Sequence, residues 1–241
     1  MQKIKAIVVK SNDRKEKDKN ILLFSIEQGK FWATLKGVKG ANAKMKLAQN
    51  PFTFADFVLE DGKVGKIVTS FDCIESFYEI SQDVDKYFCG TAILEIINAT
   101  EFSSESESAQ IFVETIKALK TLCFSNANPI YVLDKFLLSY FEKFGYPIYV
   151  DKCSTCKTVA FDKIFFDYQS GELVCQKCKT FSCEELANTT YMALKILSNC
   201  DFDTLKTVKL AAESEMGLLR VLVRNFEARF DKKLKLIGIL S

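Results

Sequence analysis

The hydrophobic pattern of this chain changes its period near Ser81, and that change constrains the fold more than any other feature. Upstream, short runs rich in Val, Ile, Phe and Tyr are separated by turn residues, which is typical of β-strands. Downstream, apolar residues recur at the 3.6-residue spacing of amphipathic helices. We therefore predict an α+β protein in which a β domain precedes a helical domain. The predicted strands cover residues 4–9, 21–27, 31–35, 52–60 and 64–77.

Five strands of this size are predicted to close into a small barrel over residues 1–80. The basic surface of this segment favours an OB-like five-stranded barrel, which is a common nucleic-acid-binding fold. An SH3-like barrel would give a similar pattern, and the sequence does not separate the two.

Three helices are predicted after Ser81, in residues 81–149. Asn128 and Pro129 have the cap and first-turn pattern of a helix start. Predicted core positions on these helices are Val84, Tyr87, Phe88, Leu94, Ile97, Phe112, Ile116, Leu119, Cys123, Val132, Phe136, Tyr140 and Phe144.

Two more helices are predicted in residues 183–241, and together with residues 81–149 they are expected to form one all-α domain. Ser182 and Glu185 have the spacing of a capping box, so one helix is predicted to begin there. The last helix is predicted to be amphipathic. Its expected inward residues are Leu218, Leu219, Leu222, Val223 and Phe226, and its outward ones are Arg220, Arg224 and Arg229.

Nine cysteines and no histidine limit the chemistry open to this chain. Catalytic sites that need an imidazole are excluded, as are imidazole metal or haem ligands. The odd count, and the close spacing of four of the cysteines, argue against a secreted disulfide framework. With no stretch that looks like a signal peptide or a membrane helix, we expect a cytoplasmic protein and no membrane partner.

Four of these cysteines form two Cys-x-x-Cys pairs, Cys153/Cys156 and Cys175/Cys178, with 18 residues between the pairs. Two such pairs offer four thiolates to one tetrahedral ion, and the intervening segment resembles a hairpin. We therefore predict a zinc ribbon in residues 150–182, inserted into the helical domain.

Several alternatives to this zinc site remain. A redox pair or an iron–sulfur cluster would also use cysteines, and Cys183 could replace one ligand. Because four thiolates saturate zinc, the predicted site is structural and leaves no position for an activated water.

The net charge of +2 conceals a strong asymmetry along the chain. Residues 1–50 carry a balance of +8, whereas residues 71–115 carry a balance of −9. A basic head is expected of a nucleic-acid-binding protein, although a solvated lysine-rich surface would have the same composition. The acidic residues fall mainly on predicted helices, where they are more often a solvated face.

Strand alternation places Trp32 on the outside of the barrel if Phe31, Ala33 and Leu35 point inward. An exposed tryptophan between lysines could stack on bases, whereas a buried one would be covered by the helical domain. The candidate DNA-binding residues are Lys10, Arg14, Lys15, Lys17, Lys30, Trp32, Lys36, Lys39, Lys44 and Lys46.

Several short stretches carry a recognisable family pattern: residues 4–10, 16–18, 29–37, 49–52, the two cysteine pairs with residues 171–174, and residues 218–220 through 234–235. Together with the order of parts, these stretches resemble the bacterial RecO family of DNA repair proteins. A cytoplasmic protein of that family is expected to associate with the nucleoid. The resemblance implies a non-enzymatic recombination mediator that binds single- and double-stranded DNA and anneals complementary strands. It also implies a RecR partner, binding of the acidic C-terminal tail of single-strand binding protein, and indirect action on RecA.

Two departures from the family pattern concern the basic residues. Lys15 stands where the family usually has glycine, and Lys39 and Lys44 stand in a segment that is rich in arginine in the family. Lysine keeps the charge but loses the bidentate geometry toward phosphate.

The acidic tail is predicted to contact Arg220 and Arg224, which lie beside an apolar helix face. An RNA-binding or transcription-associated barrel with a zinc ribbon is the alternative to the mediator reading. An enzymatic function would need a catalytic or cofactor site that the sequence lacks, since it contains no phosphate-binding loop and no dinucleotide fingerprint.

Overall fold

The computed structural model describes residues 1–14, 16–40 and 43–235, apart from the side chains of Lys39, Ala43, Lys44 and Ala212. The N-terminal part is a closed barrel of five strands, and a short helix lies between the third and fourth of them. These elements are β1 (Gln2–Asp13), β2 (Lys19–Ser25), β3 (Gly29–Leu35), α1 (Ala43–Leu47), β4 (Phe54–Gly62) and β5 (Gly65–Glu75).

The strand order around the barrel is β1-β2-β3-β5-β4, and β1 also pairs with β4. All pairs are antiparallel except β3 and β5, which run parallel. A closed five-stranded barrel with this crossing is the OB-like arrangement. The predicted N-terminal fold is therefore confirmed.

Strand β1 buries side chains on both of its faces. Ile4, Ala6 and Val8 belong to the core inside the barrel, whereas Ile7 and Val9 belong to the core shared with the helices. Since successive side chains of a strand point to opposite faces, the outer face of β1 is buried here as well as its inner face.

Five long helices follow, and they share one apolar core. They are α2 (Val84–Ala99), α3 (Glu105–Phe124), α4 (Pro129–Lys143), α5 (Asn188–Ser198) and α6 (Ala212–Phe230). Helix α4 contacts all four of the others, so it is the centre of the domain. The helices before and after the cysteine segment therefore pack as one unit.

The start of α4 agrees with its sequence pattern. The side chain of Asn128 accepts a hydrogen bond of 2.9 Å from the backbone N–H of Ile130, and Pro129 is the first residue of the helix. Proline fits there because the first helical N–H groups have no partner inside the helix. Gly145, with φ of +79°, follows the end of the helix.

Val84 and Tyr87 are predicted to lie on the core-facing side of their helix, α2, and this prediction is wrong. Their exposed fractions are 85% and 51%, whereas Cys89, Ile93 and Ile96 are buried. The helix contacts both β1 and α4, so its buried arc is centred on these later residues and leaves its first turn in solvent.

A second sheet of three short strands lies between α4 and α5, in the order β7-β6-β8. The strands are β6 (Ile164–Asp167), β7 (Glu172–Cys175) and β8 (Cys183–Leu186). The first two form the predicted hairpin, and the third strand was not predicted. This sheet and the cysteine pairs form a four-cysteine ribbon, as the sequence predicted.

The predicted helix start at Ser182 is also wrong. Residues 183–186 pair with β6 as a strand, and α5 begins only at Asn188. The hydroxyl of Ser182 donates to the carboxylate of Asp167 at 3.0 Å and so does not cap a helix. The free edge of β6 supplies backbone partners for this segment, and that pairing overrides the local capping pattern.

Two arginines of α6 fasten the ribbon to the helical domain. Arg224 donates to Glu184 and lies over the ring of Tyr168, with 4.1 Å between the guanidinium carbon and the ring centre. Arg229 donates to the backbone carbonyl of Ser170 and stacks on Tyr146.

Among the described residues, no helix combines the length and apolarity needed to cross a membrane.

Asp134 is a buried carboxyl group in the middle of the helical core. Within the described part of the chain, neither of its carboxylate oxygens has a hydrogen-bond partner. Burial, reinforced by the nearby negative charge of Glu215, raises the pKa of Asp134 well above its usual value. The folded protein therefore holds this proton at a pH where the unfolded chain has released it.

We expect the free energy of unfolding to fall as pH rises above the ordinary carboxyl range, because the folded state binds the Asp134 proton more tightly. Asp134→Asn, which cannot ionise, should make this fall smaller. Urea denaturation between pH 5 and pH 8 measures the effect. The exposed control Asp162→Asn should keep the wild-type slope, and an unchanged slope in Asp134→Asn would contradict the assignment.

Candidate metal centre and nucleic-acid interface

The two cysteine pairs meet at one point of the ribbon. The sulfurs of Cys153, Cys156, Cys175 and Cys178 all lie within 4.8 Å of one another, and those of Cys156 and Cys175 are 3.7 Å apart. A tetrahedral site with metal–sulfur distances of about 2.3 Å has sulfurs about 3.8 Å apart. A disulfide would bring two sulfurs to about 2.05 Å. The geometry therefore fits four ligands around one metal ion.

The four sulfurs are close enough to affect one another's ionisation. Burial disfavours the thiolate of Cys153, but the backbone N–H groups of Cys156, Cys175 and Thr155 outweigh that effect and lower its pKa to about 6. The neighbouring thiol of Cys156, together with burial and the charge of Cys153, raises the pKa of Cys178. Four thiolates at this separation repel one another, and a divalent ion would remove that repulsion.

The remaining cysteines lie outside this cluster. Cys183 packs beside the ribbon core, and its sulfur accepts a hydrogen bond of 3.2 Å from the backbone N–H of Thr180. Cys89 and Cys123 are buried in the helical domain, where burial raises the pKa of both thiols. Each of these three behaves as a small apolar side chain in its core.

Two basic loops of the barrel are joined by a hydrogen bond. The carboxylate of Asp18, in the β1–β2 loop, accepts a bond of 2.9 Å from the backbone N–H of Gly37, which follows β3. Arg14 donates to the hydroxyl of Thr34 at the same end of the barrel. The exposed residues Lys17 and Lys36 flank this connection. Chain segments far apart in sequence thus form one basic end of the barrel.

Trp32 lies on the outer face of the barrel with 45% of its surface exposed. Ala33 and Leu35 point into the barrel core and Phe31 packs against it, as the alternation predicted. Leu22 pairs with Lys10 on one side and with Trp32 on the other. A lysine and a half-exposed tryptophan therefore stand in one row across three strands.

Lys30 occupies a different environment from the other candidate residues. Its amino group donates to the backbone carbonyls of Asn98, at 2.8 Å, and of Thr100, at the C-terminal end of α2. Burial lowers its pKa, partly offset by Glu101. A cation at this end of a helix is favoured by the helix dipole. The structure thus places Lys30 in the contact between the barrel and the helices.

Three candidate residues are not fully described. Lys15 lies outside the described residues, and so do the side chains of Lys39 and Lys44. Lys46, on α1, is exposed.

Sequence reasoning missed a further group of cations on β1. Lys3 and Lys5 both bind the carboxylate of Asp56 on β4, each at 3.0 Å. The hydrogen bond from Lys3, then that from Lys5, lowers the pKa of Asp56. The group keeps a net positive charge, and only the register between β1 and β4 brings it together.

Arg220 and Arg224 line a cavity of about 700 Å³ between the ribbon and α6. Leu186, Met216 and Val223 supply apolar walls. Arg224 is bound to Glu184, as described above, and Arg220 is exposed at the surface of α6. The cavity therefore combines an apolar wall with cations and with the carboxylates of Glu184, Glu185 and Glu227.

We expect Cys175→Ser to lose the bound metal, because the site then has only three thiolates. The ribbon has a small core of its own, so losing a metal that stabilises it by about 10 kcal/mol should unfold this segment. Elemental analysis under reducing conditions and hydrogen exchange across residues 150–186 measure both effects. Cys183→Ser is the control and should keep the metal. Equal metal content in both variants would contradict the four-cysteine site.

The chain also matches known proteins over nearly its whole length. The family profile described as "Recombination protein O N terminal" matches residues 1–77, and the one described as "Recombination protein O C terminal" matches residues 81–236. The DNA repair protein RecO of Clostridium kluyveri is 26% identical over an alignment that covers 99% of this chain and 92% of the relative. That of Desulforamulus reducens is 28% identical, with 97% and 91% covered.

A third relative, the DNA repair protein RecO of a Thermoanaerobacter species, is 29% identical over 87% of this chain and 84% of its own length. Both parts of the chain thus match their profiles in the same order as the barrel and the helical domain with its ribbon. The chain belongs to the RecO family of DNA repair proteins.

Proposed function

We propose that this chain is a recombination mediator. It binds single- and double-stranded DNA through the barrel and anneals complementary strands, and with a RecR partner it helps RecA load onto DNA coated by single-strand binding protein. Its role is binding and positioning, with no catalytic step. Family membership and the basic end of the barrel support this proposal.

The observation that carries the proposal is the joining of two basic loops by Asp18 and Gly37. Because this bond holds Lys17 and Lys36 at the same end of the barrel, a phosphate backbone crossing that end would meet cations from both loops. Lys46 extends the same basic segment along the chain. Lysine contacts of this kind hold the phosphate backbone of DNA and do not contact the bases, so the protein should bind DNA of any sequence.

Trp32 gives the barrel a surface for bases. Its exposed ring stands in the same row as Lys10, and bases of a single strand stack on exposed aromatic rings while lysines follow the phosphates. Lys30 supports this site indirectly, since it holds β3 against α2.

Zinc is the metal that we assign to the four-cysteine cluster. Its preferred ligand set is four thiolates in a tetrahedron, and the sulfur separations match that geometry. With four protein ligands, zinc supplies stability to the ribbon and has no open position for catalysis. Elemental analysis should therefore find one zinc and no iron per chain.

The cavity between the ribbon and α6 is the proposed site for the acidic tail of single-strand binding protein. Arg220, Lys233 and Lys235 would attract its carboxylates, and the apolar wall would receive its apolar residues. Arg224 is paired with Glu184, so that pair would have to open for Arg224 to bind a carboxylate of the tail.

We expect the double variant Lys36→Glu, Lys46→Glu to bind single-stranded DNA more weakly and to anneal strands more slowly. Removing two phosphate contacts should reduce the slope of log affinity against log salt by about 1.4, since each contact contributes about 0.7. Fluorescence anisotropy at several salt concentrations measures the slope.

The matched control is Lys206→Glu, Lys209→Glu, which makes the same charge change on exposed residues of the helical domain. An equal loss of DNA affinity in both double variants would show that the loss reflects the change in net charge and not the removal of specific phosphate contacts. A salt-independent affinity, or tighter binding of RNA than of DNA, would contradict the mediator proposal.

Arg220→Glu should weaken binding of a peptide with the sequence of the acidic tail by roughly 1 kcal/mol or more, because charge reversal turns attraction into repulsion. Titration calorimetry with that peptide measures the change, and DNA affinity of the same variant should stay near that of wild type. Lys120→Glu, on the exposed face of α3, is the control. If Arg220→Glu lost peptide binding and DNA binding together, the proposal of a separate binding site for the tail would be wrong.

A further inference from the structure

The two edges of the ribbon sheet have different surroundings. In the order β7-β6-β8, strands β7 and β8 each have one side without a neighbouring strand. On the β7 side, the backbone N–H of Ser154 donates to the carbonyl of Leu173 at 2.9 Å. The backbone N–H of Cys175 donates to the sulfur of Cys153 at 3.4 Å. The segment that contains the first cysteine pair therefore covers this edge.

The edge of β8 has no such cover within the described part of the chain. Residues 183–187 make two backbone hydrogen bonds besides their pairing with β6. Cys183 donates to the carbonyl of Thr180 at 3.3 Å, and the carbonyl of Ala187 accepts a bond of 3.0 Å from Tyr191. Alternate backbone groups of an antiparallel strand point away from its partner. The outward backbone groups between Cys183 and Ala187 are therefore available to another chain.

The cavity of about 700 Å³ between the ribbon and α6 runs along this edge. Three consecutive residues of β8, Glu184, Glu185 and Leu186, line it. Leu186 and its pairing partner Ile164 belong to the core shared with the helices, whereas Glu185 pairs with Phe165 on the other face of the sheet. A cavity that contacts residues from both faces of one strand lies beside that strand. The free edge of β8 thus forms one wall of the cavity.

Helix α6 forms the opposite wall. Its lining residues lie between Met216 and Glu227, which spans about 16 Å at 1.5 Å per residue. An extended chain advances about 3.3 Å per residue, so this groove has room for about five residues. Arg224 of one wall binds Glu184 of the other, so the two walls stand close together. The groove therefore suits one extended peptide better than the edge of a folded domain.

The charges around the groove favour an acidic occupant. Two of the three carboxylates in its lining are paired with cations, Glu184 with Arg224 and Glu185 with Lys163. The third carboxylate belongs to Glu227. The lining cations outside these pairs are Arg220, Lys233 and Lys235. Positive charge therefore predominates along the groove, and it would attract the carboxylates of a peptide.

We propose that an extended acidic peptide binds this groove as a fourth strand of the ribbon sheet, hydrogen-bonded to the free edge of β8. The proposal rests on the proposed function, in which the acidic tail of single-strand binding protein occupies the same cavity, and it specifies how the tail is held. When a peptide adds to a sheet edge, main-chain hydrogen bonds supply affinity and pockets for alternate side chains supply specificity. Here Leu186 and Met216 contact apolar side chains of the peptide, and Arg220 binds a carboxylate.

Methylation of the peptide backbone tests this strand pairing on the wild-type protein. An extended peptide turns alternate N–H groups toward β8. Two peptides with the sequence of the acidic tail are therefore compared, each methylated on two alternate backbone nitrogens, in opposite registers. Both carry the same number of methyl groups, but one of them loses two hydrogen bonds to β8. We expect the affinities of the two peptides, measured by titration calorimetry, to differ at least about fivefold.

Hydrogen exchange of the protein locates the pairing. Binding of the unmethylated peptide should slow amide exchange in residues 183–187, because the peptide then covers the free edge of β8. Residues 172–175 of β7 are the internal control and should exchange at the same rate with and without peptide, since the other edge is already covered. The proposal requires both results, and either equal affinities of the two methylated peptides or unchanged exchange in residues 183–187 overturns it.

These outcomes separate the strand pairing from the proposed function. If the unmethylated peptide binds and Arg220→Glu weakens it, but the pairing tests fail, the tail occupies the cavity through side chains alone and only the strand pairing is wrong. If the unmethylated peptide does not bind, the tail site and the strand pairing are both wrong. DNA binding by the barrel is decided independently by Lys36→Glu, Lys46→Glu.

Discussion

The apolar outer face of β1 and β2 joins the barrel to the rest of the molecule. Ile7, Leu22 and Phe24 would face water in an isolated barrel, and here they belong to the helical core. The ring of Phe24 stacks on Phe102 at 5.1 Å, and Lys30 binds the end of α2 beside it. This contact buries the outer face of β1 and β2 under the helices and leaves the basic end and part of β3 exposed.

The ribbon depends on a second constraint, which is the repulsion among four sulfurs. Its three strands have four residues each, and the core that Phe165 and Val174 form with Cys153 and Cys175 is small. A bound cation would remove this repulsion and would tie the strands to both cysteine pairs. Its other face is held by apolar packing and by Arg224 and Arg229 of α6. Gly171, with φ of +68°, lets the hairpin turn lie against Arg229, since a side chain there would overlap the guanidinium.

The fold also separates the acidic residues from the basic ones. The acidic residues 71–115 lie mainly on the last barrel strand and on α2 and α3, while the basic loops lie at one end of the barrel. A long polyanion would be repelled by the first region and attracted by the second, which favours binding at the barrel end. Three acidic residues of the ribbon, Asp151, Glu184 and Glu185, are paired with cations, two of which belong to the helical domain.

The sequence by itself determined the parts of this protein that depend on local pattern. Period-two and period-3.6 alternation specified the barrel and the helices, and the spacing of Cys153, Cys156, Cys175 and Cys178 specified a four-sulfur cluster, because neighbours along a chain set these patterns. Only the tertiary structure decided the strand formed by residues 183–186, the buried arc of α2, the place of Lys30 at a helix end and the meeting of Asp18 with Gly37. Each of these depends on a partner far away in the sequence, and a free strand edge or an unpaired helix carbonyl outweighs the weaker preferences of the local chain.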